Sequence, residues 1–324
     1  MGDLLTRREW LRTAGASGAA LALAPDLVAA LGRPDLIVRA VPSTGEELPI
    51  VGLGSSATFR RVAGSDDTGA LARVLSTFIE EGARVFDTAP SYGDSEEVAG
   101  RIAAELGVSD RIFWATKVNV ARRGGSADPA AARAQIERSF EHLGVDTIDL
   151  VQVHNLGDPA TQVPILAELK AAGRIRYIGI TTTSKGRYGD LARAMGEYPL
   201  DFIGIDYSAA NLSAADEILP LAQELGIGVL VYMPFGRGAL FSRASGQELP
   251  GWAADFGARS WAQLFLKFVA AHPAVTCVTP ATSNPKHMLD NIGAARGRLP
   301  DEEEQARILE VVEALPPAPR RRRG

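Results

Sequence analysis

Four side chains of this sequence can do proton chemistry together: Asp87, Tyr92, Lys117 and His154. A tyrosine ionises near pH 10, so at neutrality it is a weak acid. A lysine ammonium beside it stabilises the phenolate and brings that value down. An aspartate paired with the lysine keeps it charged and in place, and a histidine can hydrogen-bond a carbonyl oxygen and hold it near the tyrosine hydroxyl. Such a set polarises a carbonyl and hands it a proton as a hydride arrives at carbon. No side chain donates a hydride, so the same chemistry demands a nicotinamide cofactor. Each residue also has a plainer role when taken singly: Asp87 as a turn cap, Lys117 reaching out of a strand end, His154 as a half-buried satisfied histidine, Tyr92 as surface packing. Together the four point to function, because they fall at the ends of three successive strands.

Those strands belong to a longer alternation. Short apolar, β-branched runs occur at Pro49–Gly54, Arg84–Thr88, Ile112–Val118, Thr147–His154, Ile175–Thr181, Asp201–Ser208, Gly228–Pro234 and Val275–Pro280. Strands buried on both faces, as in a parallel sheet, read this way. Between and after them lie stretches with helical spacing: Thr68–Glu81, Ser95–Leu106, Pro129–Leu143, Thr161–Ala172, Tyr188–Glu197, Ala214–Leu225, Ala258–Ala271, Pro285–Ala295 and Asp301–Leu315. Several stop at a glycine, among them Gly107 and Gly144, as left-handed helix ends do. Eight strand–helix units predict a closed α/β barrel of the (β/α)8, or TIM, type spanning residues 36–315. An open doubly wound sheet is the alternative, weakened because no G-x-G-x-x-G turn follows the first strand. Before the barrel, Leu36–Val41 and Leu48–Val51 flank Ser43-Thr44-Gly45 as a β-hairpin placed to plug the barrel bottom. In a parallel barrel, function gathers at the carboxyl ends of the strands.

Composition is that of an ordinary globular protein: 324 residues, 46% hydrophobic, 23% charged, with a net charge of −5 that argues against nucleic acid as a partner. A lone cysteine, Cys277, precludes an intramolecular disulfide and reads as a small core residue. The histidines and the cysteine form no metal-ligand spacing, so no metal is expected. At the amino terminus, Thr6-Arg7-Arg8-Glu9-Trp10-Leu11-Arg12 precedes a short Ala- and Gly-rich apolar stretch to Ala24. Residues 1–30 read as a signal peptide that resembles a twin-arginine export signal, with Val28-Ala29-Ala30 as a cleavage site. The apolar run is too short for a stable membrane span. The partner this implies is the twin-arginine machinery, and the implied location is periplasmic or otherwise extracytoplasmic, reached after folding in the cytoplasm. Residues 316–324, rich in Pro and ending in Arg320–Arg323, read as a disordered tail.

The motifs themselves resemble one family. Asp87-Thr88-Ala89-Pro90-Ser91-Tyr92-Gly93 is similar to the aldo-keto reductase motif Asp-Thr-Ala-x-x-Tyr-Gly. Ala115-Thr116-Lys117 resembles the family's lysine strand, and Leu143-Gly144-Val145-Asp146 with Ile148–His154 resembles its histidine strand. Gly173–Ile180 resembles its segment G-K-I-R-Y-I-G-V. The resemblance runs from about Leu48 to Leu315. It implies an NADP(H)-dependent oxidoreductase, with NAD(H) as the alternative, that reduces a small aldehyde or ketone. Tyr92 would be the general acid, Lys117 and Asp87 its tuning pair, and His154 the residue that orients the carbonyl.

For the cofactor the resemblance implies Thr181 and Thr182 in place of a Ser-Asn pair that holds the carboxamide. Tyr232 is the implied stacking aromatic, with Phe235 as the other possibility, and Tyr207 is a further contact. At the phosphate end it implies Thr282, Ser283, Asn284, His287 and Asn291. Three further positions depart from the pattern. Gly204 stands where a glutamine is usual, Ala281 where a lysine is usual, and His287 where an arginine would pair with a 2′-phosphate. Phe59, Trp114 and Asn155 are expected near the substrate, and Ser242–Gly257, with Trp252 and Phe256, reads either as a lid or as a plain surface loop. The departures and the export signal leave a second reading open, a barrel of the same fold that binds a nucleotide or ligand without turnover. A third is a hydro-lyase or epimerase.

Overall fold

In the barrel, every strand is followed by a segment that covers its outer face, and the sequence dictates why. Along the helix at Gly69–Glu80, Leu71, Val74, Leu75, Phe78 and Ile79 are buried, a spacing that puts them on a single stripe of the helix. The strands that these stripes cover are buried along nearly their whole length. The computed structural model describes residues 35–121 and 125–317. The leader at residues 1–30 and Arg320–Arg323 therefore lie outside the described residues.

The chain from Leu36 onward forms one compact unit. It opens with a hairpin, β1 (Val38–Ala40) and β2 (Glu47–Pro49), paired antiparallel with Arg39 opposite Leu48. Eight parallel strands follow: β3 (Leu53–Gly54), β4 (Val85–Asp87), β5 (Phe113–Val118), β6 (Ile148–Val153), β7 (Ile175–Thr182), β8 (Phe202–Asp206), β9 (Gly228–Tyr232) and β10 (Val275–Val278). They are hydrogen-bonded in sequence order from β3 to β10. Bridges from Val51 to Val278 and from Gly54 to Ala281 then close the ring. The seam is tight enough to require glycine. A Cβ on Gly54 would lie 2.6 Å from the carbonyl oxygen of Thr279. The architecture is the (β/α)8 barrel.

The helices are α1 (Thr58–Ala63), α2 (Gly69–Glu80), α3 (Ser95–Leu106), α4 (Pro129–Leu143), α5 (Pro159–Ala171), α6 (Tyr188–Glu197), α7 (Ile218–Glu224), α8 (Ala239–Ala244), α9 (Trp261–Ala271), α10 (Pro285–Gly293) and α11 (Glu302–Ala314). Three match the sequence expectation to the residue: α3, α4 and α6. Gly107 and Gly144 end α3 and α4 in the left-handed conformation. The short helices α1 and α8 have too few turns to show a period and were not anticipated. Five of the eight strands end one or two residues earlier than the apolar runs suggested, and β7 ends one residue later. The apolar run Pro49–Gly54 is divided, because the Ile50 N–H still bonds to Ile37 of the hairpin before the barrel strand begins.

The hairpin seals the amino-terminal end. Val41 and Leu48 join an interior cluster with Phe113, Tyr177, Phe202 and Leu230. Across it the hydroxyls of Thr44 and Tyr177 are 2.7 Å apart, and Tyr177 also donates to Glu46. With that end filled, the open end of the barrel is the one where the strands terminate in Asp87, Lys117 and His154. Among the described residues, no helix is long and apolar enough to cross a membrane.

Candidate active site

Strand alternation puts Asp87, Lys117 and Gln152 inside the barrel at neighbouring heights, since Lys117 pairs with Gln152 and Asp87 with Ala115. Lys117 Nζ lies 2.8 Å from both carboxylate oxygens of Asp87 and 2.7 Å from the carbonyl oxygen of Thr88. Both side chains are buried. Burial pushes the Asp87 carboxyl up from its ordinary value, with the Lys117 charge opposing it. Burial is the largest single influence and acts to lower Lys117, but the charge and hydrogen bond of Asp87, with Tyr92 and Glu96, together outweigh it and hold the ammonium above its ordinary range.

Tyr92 follows β4 in a turn closed by its own N–H to Ala89. Its ring centre is 5.2 Å from Lys117 Nζ and 6.0 Å from the His154 ring, which it meets edge-on. Lysine was expected to lower the tyrosine. Here burial pushes the Tyr92 phenol up, and Lys117 offsets this only in part. The phenol is thereby kept as the neutral acid, the form that has a proton to give. Burial, helped by the Lys117 charge, drops His154 to about 3. A neutral imidazole can hydrogen-bond a carbonyl without competing with the phenol to protonate it.

These four residues open onto a cavity of about 1210 Å³ that also reaches Thr279–Asn284, His287, Asp290 and Asn291. Thr181, Tyr232, Phe235 and Asn155 line it as well. At its far end α10 begins at Pro285, with the Asn284 side chain accepting from the Lys286 N–H as its cap. Asp290 accepts from Ser260 and Gln263, which fixes α10 to the start of α9.

Several expected positions fall elsewhere. Thr182 does not line the cavity; its hydroxyl accepts from the Ser184 N–H. Thr183 lines the cavity with Thr181, because residues adjacent along extended backbone face opposite sides. Tyr207 is buried on the outer face, stacked on Phe268 at 6.0 Å, and is not a cavity residue. Phe59 and Trp114 are also core: each packs edge-on against Phe86 at 5.4 Å, and the Trp114 indole donates to the carbonyl of Ser109. Trp252 lies under Arg307, and Phe256 is buried; neither borders the cavity. Phe241 and Trp261 border it instead, with Met233, Arg60 and Arg237. Sequence reasoning missed Arg237, although the glycines on either side were a signal. Residues 236–238 all have positive φ, a sharp loop that presents the arginine. Cys277 is fully buried, and burial pushes its thiol up, as a core residue requires.

The order of strands, the seam and the residues at the strand ends bear comparison with known proteins. The Aldo/keto reductase family model matches residues 51–313. The chain belongs to the aldo/keto reductase family. An aldo-keto reductase, str7, from Strobilurus tenacellus is 32% identical over 288 residues, covering 78% of this chain and 84% of the relative. Among solved structures, the aldo-keto reductase AKR11C1 from Bacillus halodurans in its holo form is 24% identical. It superposes with a TM-score of 0.69 over 86% of this chain and 96% of its own. An aldo-keto reductase from Klebsiella pneumoniae in complex with NADPH is 23% identical, with a TM-score of 0.70 over 89% and 97%. In this aldo/keto reductase, the proton-bearing residues and the first turn of α10 are therefore parts of one continuous cavity on a family barrel.

Proposed function

We propose that this aldo/keto reductase reduces an aldehyde or ketone to an alcohol with NADP(H) as the hydride donor. The observation that carries the reading is the set Asp87, Tyr92, Lys117 and His154 converging at the open end of the barrel, with Lys117 locked to Asp87 and both rings of the Tyr92–His154 pair at the cavity. The residues present fit a dinucleotide. The cavity runs without interruption from Tyr92 to the start of α10, and a helix N-terminus favours a phosphate. Thr181 with Tyr232 would hold the nicotinamide end, and Ser283, Asn284, Lys286 and His287 the phosphate end. NADP(H) bound there supplies the hydride.

The chain supplies everything else. His154, neutral, holds the carbonyl oxygen within reach of Tyr92. Tyr92 gives its proton to that oxygen as negative charge develops on it. The phenolate left behind is stabilised by Lys117, whose ammonium is kept in place by Asp87. The pair is desolvated, so its field acts on Tyr92 with little screening. Complexes of structural neighbours with NADP and with NADPH support the choice of cofactor.

The test is Tyr92→Phe. Carbonyl-dependent NADPH oxidation should fall by about 10²–10⁴-fold, the worth of a positioned general acid, with NADPH quenching of tryptophan fluorescence retained. An unchanged rate would overturn the reading. Tight cofactor binding with no carbonyl turnover by the unaltered protein would favour the non-catalytic barrel instead.

Export belongs to the same proposal. The Arg7-Arg8 pair and the apolar stretch after it fit a twin-arginine signal. That route carries folded proteins, so a cofactor could be loaded before crossing. Cell fractionation of the full chain and of Arg7→Lys/Arg8→Lys tests it. Equal distribution of both between cytoplasm and periplasm would sink it.

A further inference from the structure

The space where the family pattern has glutamine is not empty. A Cβ built on Gly204 would lie 2.4 Å from Cε2 of Tyr232 and 2.6 Å from its hydroxyl oxygen. Tyr232 ends β9, and its neighbour across the ladder is Asp206. Because residue 204 has no side chain, the Tyr232 ring turns inward over the strand instead of standing clear of it. Its hydroxyl then lies 3.1 Å from Asp87 Oδ1 and 3.1 Å from Gln152 Oε1. Its ring centre is 5.1 Å from Lys117 Nζ, so the ammonium sits between two tyrosine rings, Tyr232 and Tyr92.

Proton counting fixes the direction of these bonds. A phenol has one proton and can donate it only once. Asp87, ionised, can only accept, so the Tyr232 proton goes to Asp87. The second contact is satisfied when the Gln152 amide turns its nitrogen toward the tyrosine oxygen and donates. That orientation also gives a partner to Nε2 of Gln152, which is buried and otherwise has none. Inside the barrel, the other side-chain donors that act on the Asp87 carboxylate are Lys117 and the Gln152 amide. A third donor at this oxygen favours the ionised form.

We propose that Tyr232 is a positioning residue for the Asp87–Lys117 pair: the gap at Gly204 admits its phenol, which donates to Asp87 and keeps that carboxylate charged. This rests on the proposed proton relay for its catalytic consequence, but not for its geometry. The titratable groups that face Asp87 are Lys117 from β5, Tyr92 from the loop after β4, Tyr232 from β9 and Cys277 from β10. Glu96 from α3 and His154 after β6 act on it through Lys117. Of these, only Tyr232 supplies a neutral donor to the carboxylate itself.

The experiment is carbon NMR of the full chain labelled with ¹³C at aspartate carboxyls, the Asp87 signal being assigned by its loss in Asp87→Asn. In Tyr232→Phe the ring stays and the donor is lost. The Asp87 titration midpoint should rise by about one pH unit, the worth of a hydrogen bond to a charged group. Gly204→Ala should produce the same rise by pushing the intact Tyr232 aside, and the double variant should shift no further than either single one. The acidic limb of kcat/KM should move with the NMR midpoint. An unmoved Asp87 midpoint in folded Tyr232→Phe overturns the inference even if carbonyl reduction is established. An unaltered protein that reduces no carbonyl defeats the proposed function, yet the NMR midpoints still decide the role of Tyr232. A loss of thermal stability without any shift in midpoint would mark a packing role only, and also overturns it.

Discussion

Lys117 Nζ is equidistant, at 2.8 Å, from the two carboxylate oxygens of Asp87, and the pair is closed off from water inside the barrel. Two charges so placed are strong toward each other and costly when separated. Lys117→Met should leave an unpaired buried carboxylate and destabilise the protein by about 3–5 kcal/mol. Lys117→Met/Asp87→Leu should recover part of that loss, because no charge is left stranded. Urea denaturation at pH 7 of the three proteins checks this, and a double variant less stable than the single one would contradict it.

His154 makes stability depend on pH, and the sign follows from burial. Desolvation, with the Lys117 charge, takes its pKa from an ordinary value near 6.5 to about 3. The unfolded chain therefore binds a proton there at pH values where the folded chain does not. Its contribution is fully present above about pH 6.5 and is lost progressively as pH falls toward 3, at about 1.4 kcal/mol per unit. From pH 6.5 to 4.5 the cost should be about 2–3 kcal/mol. His154→Gln, which has no such proton to bind, should show a flatter acid decline in its urea midpoint. Parallel curves for the two proteins would refute the assignment.

His287 borders the phosphate end of the cavity, on the exposed first turn of α10 beside Lys286. Neither offers the two parallel N–H donors of a guanidinium. Preference for NADPH over NADH should therefore be modest. His287→Arg should tighten NADPH by about 10-fold, one charge-assisted hydrogen bond, and leave NADH unchanged. Fluorescence titration with both nucleotides gives the ratio directly. Equal tightening of NADH would mean that the residue meets another part of the cofactor.

Arg60 and Arg237 both line the cavity, are exposed, and have no ion-pair partner among the described residues. A carbonyl substrate carrying a carboxylate should be favoured over its neutral counterpart. For 4-carboxybenzaldehyde against benzaldehyde, KM should be lower by about 3- to 10-fold at low salt and should converge as salt screens the charges. Arg60→Ser should raise KM for the carboxylated aldehyde alone. No difference between the two aldehydes at low salt would remove the anionic preference.

Much of this was legible before any coordinates. Asp87, Lys117 and His154 could be placed at strand ends because a parallel barrel strand is one apolar run that stops where the polar residue appears. Helices α3, α4 and α6 could be bounded because each carries its own period and α3 and α4 close at a glycine. Thr182 and Tyr207 are near the right height, but their side chains point away from the cavity, whereas Trp114 lies near the start of β5 and Phe59 on α1. A residue's height follows from counting along a strand, whereas its direction depends on register and pleat.

The sequence by itself pointed to the barrel and put four titratable residues at the ends of its strands, since each depends on local pattern and residue type. Only the tertiary structure decided what surrounds them. Burial, which no local pattern reports, holds Tyr92 as the neutral acid and His154 uncharged. Closure of the ring, which leaves only β10 and β3 between β9 and β4, lets Tyr232 fill the gap at Gly204 and reach Asp87, 145 residues away. Such a contact between distant segments has no sequence signal of its own: Gly204 stands out as a departure and Tyr232 as an aromatic at a strand end, but nothing local says that the two meet.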